Sequence, residues 1–181
     1  MDEERLSLFK ASIEAQRREI ERIFDRIEER RQGEGVAYLE SLAYQLHNLY
    51  CAFEDLFKII AEFFENRIED RARYHRELFW RMKISIEGVR PALLSEESYK
   101  LLDSLRAFRH FFRHAYSYEL DPRKVALVVE DALKLKKLYQ RDIDRFLEQT
   151  PPRVEEKRRS DPGEFTFDRM LRGTEVVRRE T

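Results

Sequence analysis

The sequence predicts an all-α protein, an up-and-down bundle of about five long helices. Three observations carry that reading. Apolar residues recur at steps of three and four through five separate stretches, the period of one helix face. Glycine and proline number only 5 each among 181 residues while 39% of residues are charged, which suits long solvated helices better than sheets. The breaks between stretches hold the residues that start and stop helices. A chain of this length buries a real core, and we place one helical domain at residues 1–149.

Residues 3–31 form the first predicted helix, with Leu6, Phe9, Ile13, Ile20, Phe24 and Ile27 on one face. The charge run 28–31 reads as its solvated end, and Gly33 and Gly35 break the pattern. The second helix spans 36–66. Leu39, Leu42, Leu46, Leu49, Phe53, Leu56, Ile60 and Phe63 keep the rhythm, and Ala43, Tyr50, Phe57 and Phe64 widen the face. A stripe so broad belongs to a helix covered on several sides, at the centre of the bundle. On it, His47 reads as a structural or surface group, with no other histidine or cysteine expected beside it. Cys51 reads as a small core residue.

The third helix spans 69–90, anchored by Leu78, Met82, Ile86 and Val89. Pro91 ends it, because a residue before proline is pushed out of helical geometry. His75 and Trp80 read as packing groups. Ser95 caps the fourth helix, with Glu96 and Glu97 at its positive end. That helix runs to about Tyr116 on the apolar positions Leu101, Leu105, Phe108, Phe112 and Ala115. Asp121 caps the fifth helix and Pro122 occupies its first position. Val125, Val128, Ala132, Leu135, Tyr139, Ile143 and Phe146 carry its stripe to about Glu148. Pro151 and Pro152 close the folded region. We expect residues 150–181 to be a disordered C-terminal tail, charged and without sustained period, in which Phe165, Phe167, Met170 and Leu171 are placed to dock on a partner.

Composition narrows function. The formal net charge of −1 leaves no global field for a long nucleic acid, so any RNA contact must be local. A single cysteine excludes an internal disulfide and a cysteine-based zinc site. No apolar run approaches the ~20 residues of a membrane span. The N-terminus has no signal-peptide pattern, so we expect a soluble cytoplasmic protein without membrane contact.

The stretch Arg109-His110-Phe111-Phe112-Arg113-His114-Ala115-Tyr116 stands out. With Leu105 at zero and 100° per residue, the predicted apolar stripe centres near ~320°. Arg106, Arg109 and Arg113 fall at about 40–100°, and His110 and His114 at about 140–180°. They form a band on the side away from the core, which packing does not require. Three readings remain open on these residues alone. The band is a soluble surface. Or His110 and His114, four apart, hold a metal ion, although the Glu-x-x-His of di-iron bundles and the His-Glu of zinc proteases are missing. Or the band cuts RNA without metal. RNA supplies its own 2′-OH nucleophile, histidine supplies a proton carrier near neutral pH, and arginine meets the charge of the phosphorane. Arg109 and His114 have those chemistries, with Arg106 and Arg113 as candidate phosphate contacts. Five residues of straight helix set Arg109 and His114 ~140° apart. They converge only if the helix loosens near His114 or if two protomers share a cleft.

The pattern Arg109-x4-His114-x-Tyr116 in a five-helix chain resembles the HEPN superfamily of helical ribonucleases, and more narrowly HepT, the toxin of HepT–MntA toxin–antitoxin pairs. His75, Leu78 and Met82 upstream and Leu120-Asp121-Pro122 downstream extend the resemblance over most of residues 36–148. It implies a homodimer that cuts RNA, tRNA or mRNA, with Arg109 and His114 catalytic and a 2′,3′-cyclic phosphate left behind. It makes His110, where the family commonly has another polar residue, often Asn or Asp, a third catalytic candidate that assists the pair. It implies no cofactor for this chain, and an MntA-like nucleotidyltransferase antitoxin that uses Mg-ATP to adenylylate Tyr116. Without the family, Tyr116 reads as a packing residue. Tyr118 is a second candidate for modification. The alternative to an enzyme is a non-catalytic helical module that pairs with the nucleotidyltransferase.

Overall fold

Five helices follow one another in the computed structural model, which describes residues 3–64, 74–114 and 119–150, with only the helical backbone at 74–76. They are α1 (Glu3–Arg30), α2 (Val36–Phe64), α3 (Tyr74–Lys83), α4 (Glu96–Phe112) and α5 (Pro122–Glu148). Among the described residues there is no strand beyond an isolated bridge between Ile86 and Arg90. The fold is the all-α bundle that the sequence predicts.

The long helices alternate in direction around α2. Against α1, Phe9 stacks on Phe63 at 4.0 Å, Gln16 donates to the Ala52 carbonyl, and Arg30 Nε donates to the Ser41 hydroxyl. Rising numbers on one helix thus meet falling numbers on the other. Along α1 and α5, Arg17 pairs with Asp144 and Lys136 reaches both Asp25 and Glu28. Phe24, Phe53, Phe57 and Tyr139 fill the centre, fully buried. The Tyr139 hydroxyl donates to Glu21, and burial followed by that carboxylate pushes its ionisation far up. The short α3 inserts Phe79 between Tyr50, Phe57 and Tyr99, stacked on the last at 4.3 Å. The breadth of α2's apolar face therefore has its expected cause, contact with four neighbours.

Two helices end earlier than the sequence predicts. α3 stops at Lys83 rather than 90. Gly88 adopts φ +70°, a left-handed turn that suits glycine, and Val89 and Arg90 both donate to the Ile86 carbonyl. The Arg90 side chain lies buried and donates to the Arg81, Ile84 and Pro91 carbonyls, tying down the helix end. Ile86 and Val89 consequently sit half-buried on the loop instead of anchoring a helix, and Trp80 is exposed. α4 stops at Phe112 rather than Tyr116, its last turn tightened by a bond from His114 N–H to the Phe111 carbonyl.

The starts of α4 and α5 are as read, while 69–73, where the sequence opens the third helix, lie outside the described residues. The Ser95 hydroxyl caps Ser98 N–H, and both Ser95 N–H and its hydroxyl donate to the buried Asp142 of α5. Asp121 caps Arg123 N–H, with Pro122 first in the helix. At the other end of α5, Thr150 is buried and its hydroxyl donates to the Phe146 carbonyl. Packed structure therefore reaches 150, one residue past the expected boundary. Residues 151–181, with the docking candidates among them, lie outside the described residues, as does the His75 side chain.

Candidate functional site

Arg109 does not stand in the solvent band where the helical wheel placed it. The residues of α4 that are buried are Ser98, Leu102, Leu105 and Phe108, while Leu101 and Phe112 are only partly covered. That set centres near ~0° rather than ~320°, which leaves Arg109, at ~40°, beside the core. Its side chain is 20% exposed and its Nη2 lies 3.2 Å from Oε2 of Glu54, itself 5% exposed. The guanidinium also sits over the Tyr50 ring, 5.6 Å from the centroid. The Tyr50 hydroxyl is buried without a hydrogen-bond partner among the described residues, and burial pushes its ionisation well up.

The rest of the predicted band is split. Arg106 is half-buried and bonded to Asp103 at 2.7 Å. Arg113, His110 and His114 are exposed. The two histidine rings meet edge to face, 5.2 Å between centroids. Among the described residues no group of three His, Cys, Asp or Glu side chains is placed to hold a metal ion. Tyr116 and Tyr118 lie outside the described residues.

The α2 half of this face was not singled out in the sequence. His47, Tyr50, Cys51 and Glu54 occur at i, i+3, i+4 and i+7, one side of a helix, and they face the arginines of α4. His47 stands 5.6 Å from the Phe112 ring, and its Nε2 is 3.7 Å from Cys51 Sγ. The expectation that His47 has no cysteine beside it is thus corrected, since four residues along a helix are neighbours. Cys51 is half-buried rather than in the core. Burial first, then the cations of Arg109 and Arg113, hold the His47 imidazole below its ordinary pKa. It is therefore neutral at pH 7, with Nδ1 buried and unbonded among the described residues. The spacing of four polar or polarisable residues inside an apolar helix was the signal available for it.

The site therefore presents a pinned guanidinium, a neutral imidazole beside it, and two exposed imidazoles and an exposed arginine at the end of α4. Such a set can bind a phosphodiester and move a proton near neutral pH. No helix is long and apolar enough to cross a membrane among the described residues. A protein-family model described as HepT-like protein matches residues 41–150, which run from within α2 to the end of α5 and include this whole face. No curated protein and no solved structure matches the chain.

Proposed function

This chain belongs to the HepT-like protein family, and from that membership we propose that it is a toxin of the type VII-like kind, a cytoplasmic endoribonuclease that cuts RNA without a metal of its own. The observation that carries the reading is Arg109, held on the α2–α4 face by Glu54 and Tyr50 five residues before His114. A guanidinium fixed in advance stabilises developing phosphorane charge without reorganising during the reaction.

The chemistry runs on the substrate's own nucleophile. The 2′-oxygen attacks the neighbouring phosphorus as its proton passes to an imidazole. The bond from phosphorus to the 5′-oxygen breaks, that oxygen takes up a proton, and a 2′,3′-cyclic phosphate and a 5′-hydroxyl result. His114 is the proton carrier and His110 its neighbour, while Arg113 and Arg106 contact flanking phosphates. His47, neutral and close to Arg109, is a second imidazole able to accept the proton. A homodimer would bring the α4 ends of two copies to one cleft. An MntA-like nucleotidyltransferase antitoxin would silence the site by transferring AMP from Mg-ATP to the Tyr116 oxygen, with pyrophosphate leaving. The added phosphodiester would compete for the same arginines.

Incubating the purified chain with short single-stranded RNA in the presence of a chelator tests the reading. Cleavage with a cyclic phosphate terminus supports it. Intact RNA, together with tight binding of the nucleotidyltransferase, would replace it with a non-catalytic pairing module.

A further inference from the structure

On α2, Tyr44, His47 and Cys51 recur at i, i+3 and i+7, so they share one side of the helix. His47 meets the Phe112 ring of α4, while Glu54, two turns further along α2, meets Arg109. α4 therefore runs towards lower numbers on α2. The turn before His47, which holds Tyr44, lies beside the end of α4, where Arg113 and His114 stand. Tyr44 is 54% exposed, and its ring and hydroxyl have no partner among the described residues.

An exposed aromatic ring needs no explanation by itself. What picks this one out is its place. A ring open to solvent, one turn from a neutral imidazole and beside the cationic end of α4, is a surface on which an unpaired base stacks. The charges say how a strand lies across it. Arg109 and Arg113 stand on the α4 side of Tyr44, and the exposed Glu40 stands one turn before it on α2. Phosphates therefore follow α4, and the base turns in over α2. Asn48, one turn after Tyr44, sets an amide beside the ring, a donor and an acceptor for the edge of a base. An apolar protein side chain would use the ring but neither the amide nor the arginines.

We propose that Tyr44 is the stacking platform for an unpaired nucleobase next to the phosphate that Arg109 receives, so that the substrate class is single-stranded RNA with a purine at that position. The phosphate's place rests on the ribonuclease reading, whereas the base's place rests on the exposure of the ring and its position on the face. Every base has a π-face, and preference follows stacking strength, so the larger purine binds better than a pyrimidine. A base inside a duplex is already stacked and paired, and it covers the ring only after the duplex opens. The contact is made before phosphorus is attacked and does not change during the attack, so it acts on KM rather than on kcat.

Fluorescence anisotropy of the full chain with labelled 2′-deoxy tetranucleotides at low salt tests it, because such probes lack the nucleophile and stay intact. The adenine tetramer binds more tightly than the uracil tetramer. Tyr44→Ala weakens the adenine tetramer by about tenfold and removes the preference, with unchanged helical circular dichroism. Tyr44→Phe and Tyr44→Trp keep both affinity and preference. On the matching RNA, Tyr44→Ala raises KM by a similar factor and leaves kcat within about twofold. A wild type that binds neither tetramer, a Tyr44→Ala variant that binds like wild type, or a Tyr44→Phe variant as weak as the alanine one overturns the platform. So does a Tyr44→Ala variant that loosens only the nucleotidyltransferase, since the ring is then a protein contact. Binding that depends on Tyr44 without cleavage of the RNA upholds the base site and removes the proposed activity. Cleavage indifferent to Tyr44 does the opposite.

Discussion

Replacing Glu54 by glutamine tests what holds Arg109 in place. The substitution keeps size and one acceptor oxygen but deletes the charge. At 3.2 Å, and with the effective dielectric near 20 suited to protein sites, the attraction is about 5 kcal/mol before the cost of taking both groups out of water. Removing one member of a buried pair usually costs about 3–5 kcal/mol, since the other charge is stranded. Here Arg109 keeps 20% exposure and can recover part of its hydration, and the amide oxygen still accepts. We therefore expect a loss of about 2 kcal/mol, below the usual range. With a urea slope of about 2 kcal/mol per molar, the unfolding midpoint falls by ~1 M. The clean measurement is a double-mutant cycle with Arg109→Met, in which Glu54→Gln should cost markedly less in the methionine background. RNA cleavage should fall about tenfold or more in Glu54→Gln, since a misaligned arginine forfeits charge stabilisation in the transition state. Unchanged stability and a coupling energy below about 0.5 kcal/mol would show that the ion pair does not hold the arginine, and the argument built on it would go.

Three further outcomes are expected. Arg109→Ala and His114→Ala each abolish RNA cleavage in chelator while far-ultraviolet circular dichroism is kept; full activity in both would refute the assignment. His47 has a folded-state pKa below its unfolded value, so the unfolded chain takes up the proton first on acidification and stability falls as pH drops from about 6.5. His47→Phe should flatten that part of the stability profile in denaturant titrations at successive pH values. Arg90→Met removes a buried group that donates to three carbonyls and should lower stability by about 2–4 kcal/mol, read from the urea midpoint, without changing RNA cleavage per folded molecule.

The fold was legible where local chemistry and the core agree. Ser95 and Asp121-Pro122 mark helix starts because their side chains satisfy N–H groups that a helix leaves open, a need independent of tertiary context. The ends were less legible. The apolar period through Ile86 and Val89 continues past Lys83, yet the chain turns at Gly88. What fixes the turn is Arg90, whose guanidinium reaches back to carbonyls of the helix it leaves. An arginine beside a proline announces no such role, since an arginine side chain is ordinarily solvated.

The site was legible on α4 and hidden on α2, and both facts have one cause. The motif from Arg109 to Tyr116 is dense in unusual residues, so it is seen without knowing its neighbours. Its orientation depends on which apolar residues face inward, and both Leu101 and Leu102 were eligible. Choosing Leu101 turns the helix by some 40° and sends Arg109 into solvent; burial of Leu102 and Ser98 brings it to the core instead. Once there, a guanidinium needs an anion, and the α2 face opposite supplies Glu54. A glutamate one turn from Tyr50 and two turns from His47 in an otherwise apolar helix would be a costly surplus if nothing met it. The acidic residue on the central helix and the arginine on the motif helix account for each other, and either one, read with the other in mind, points to the shared face.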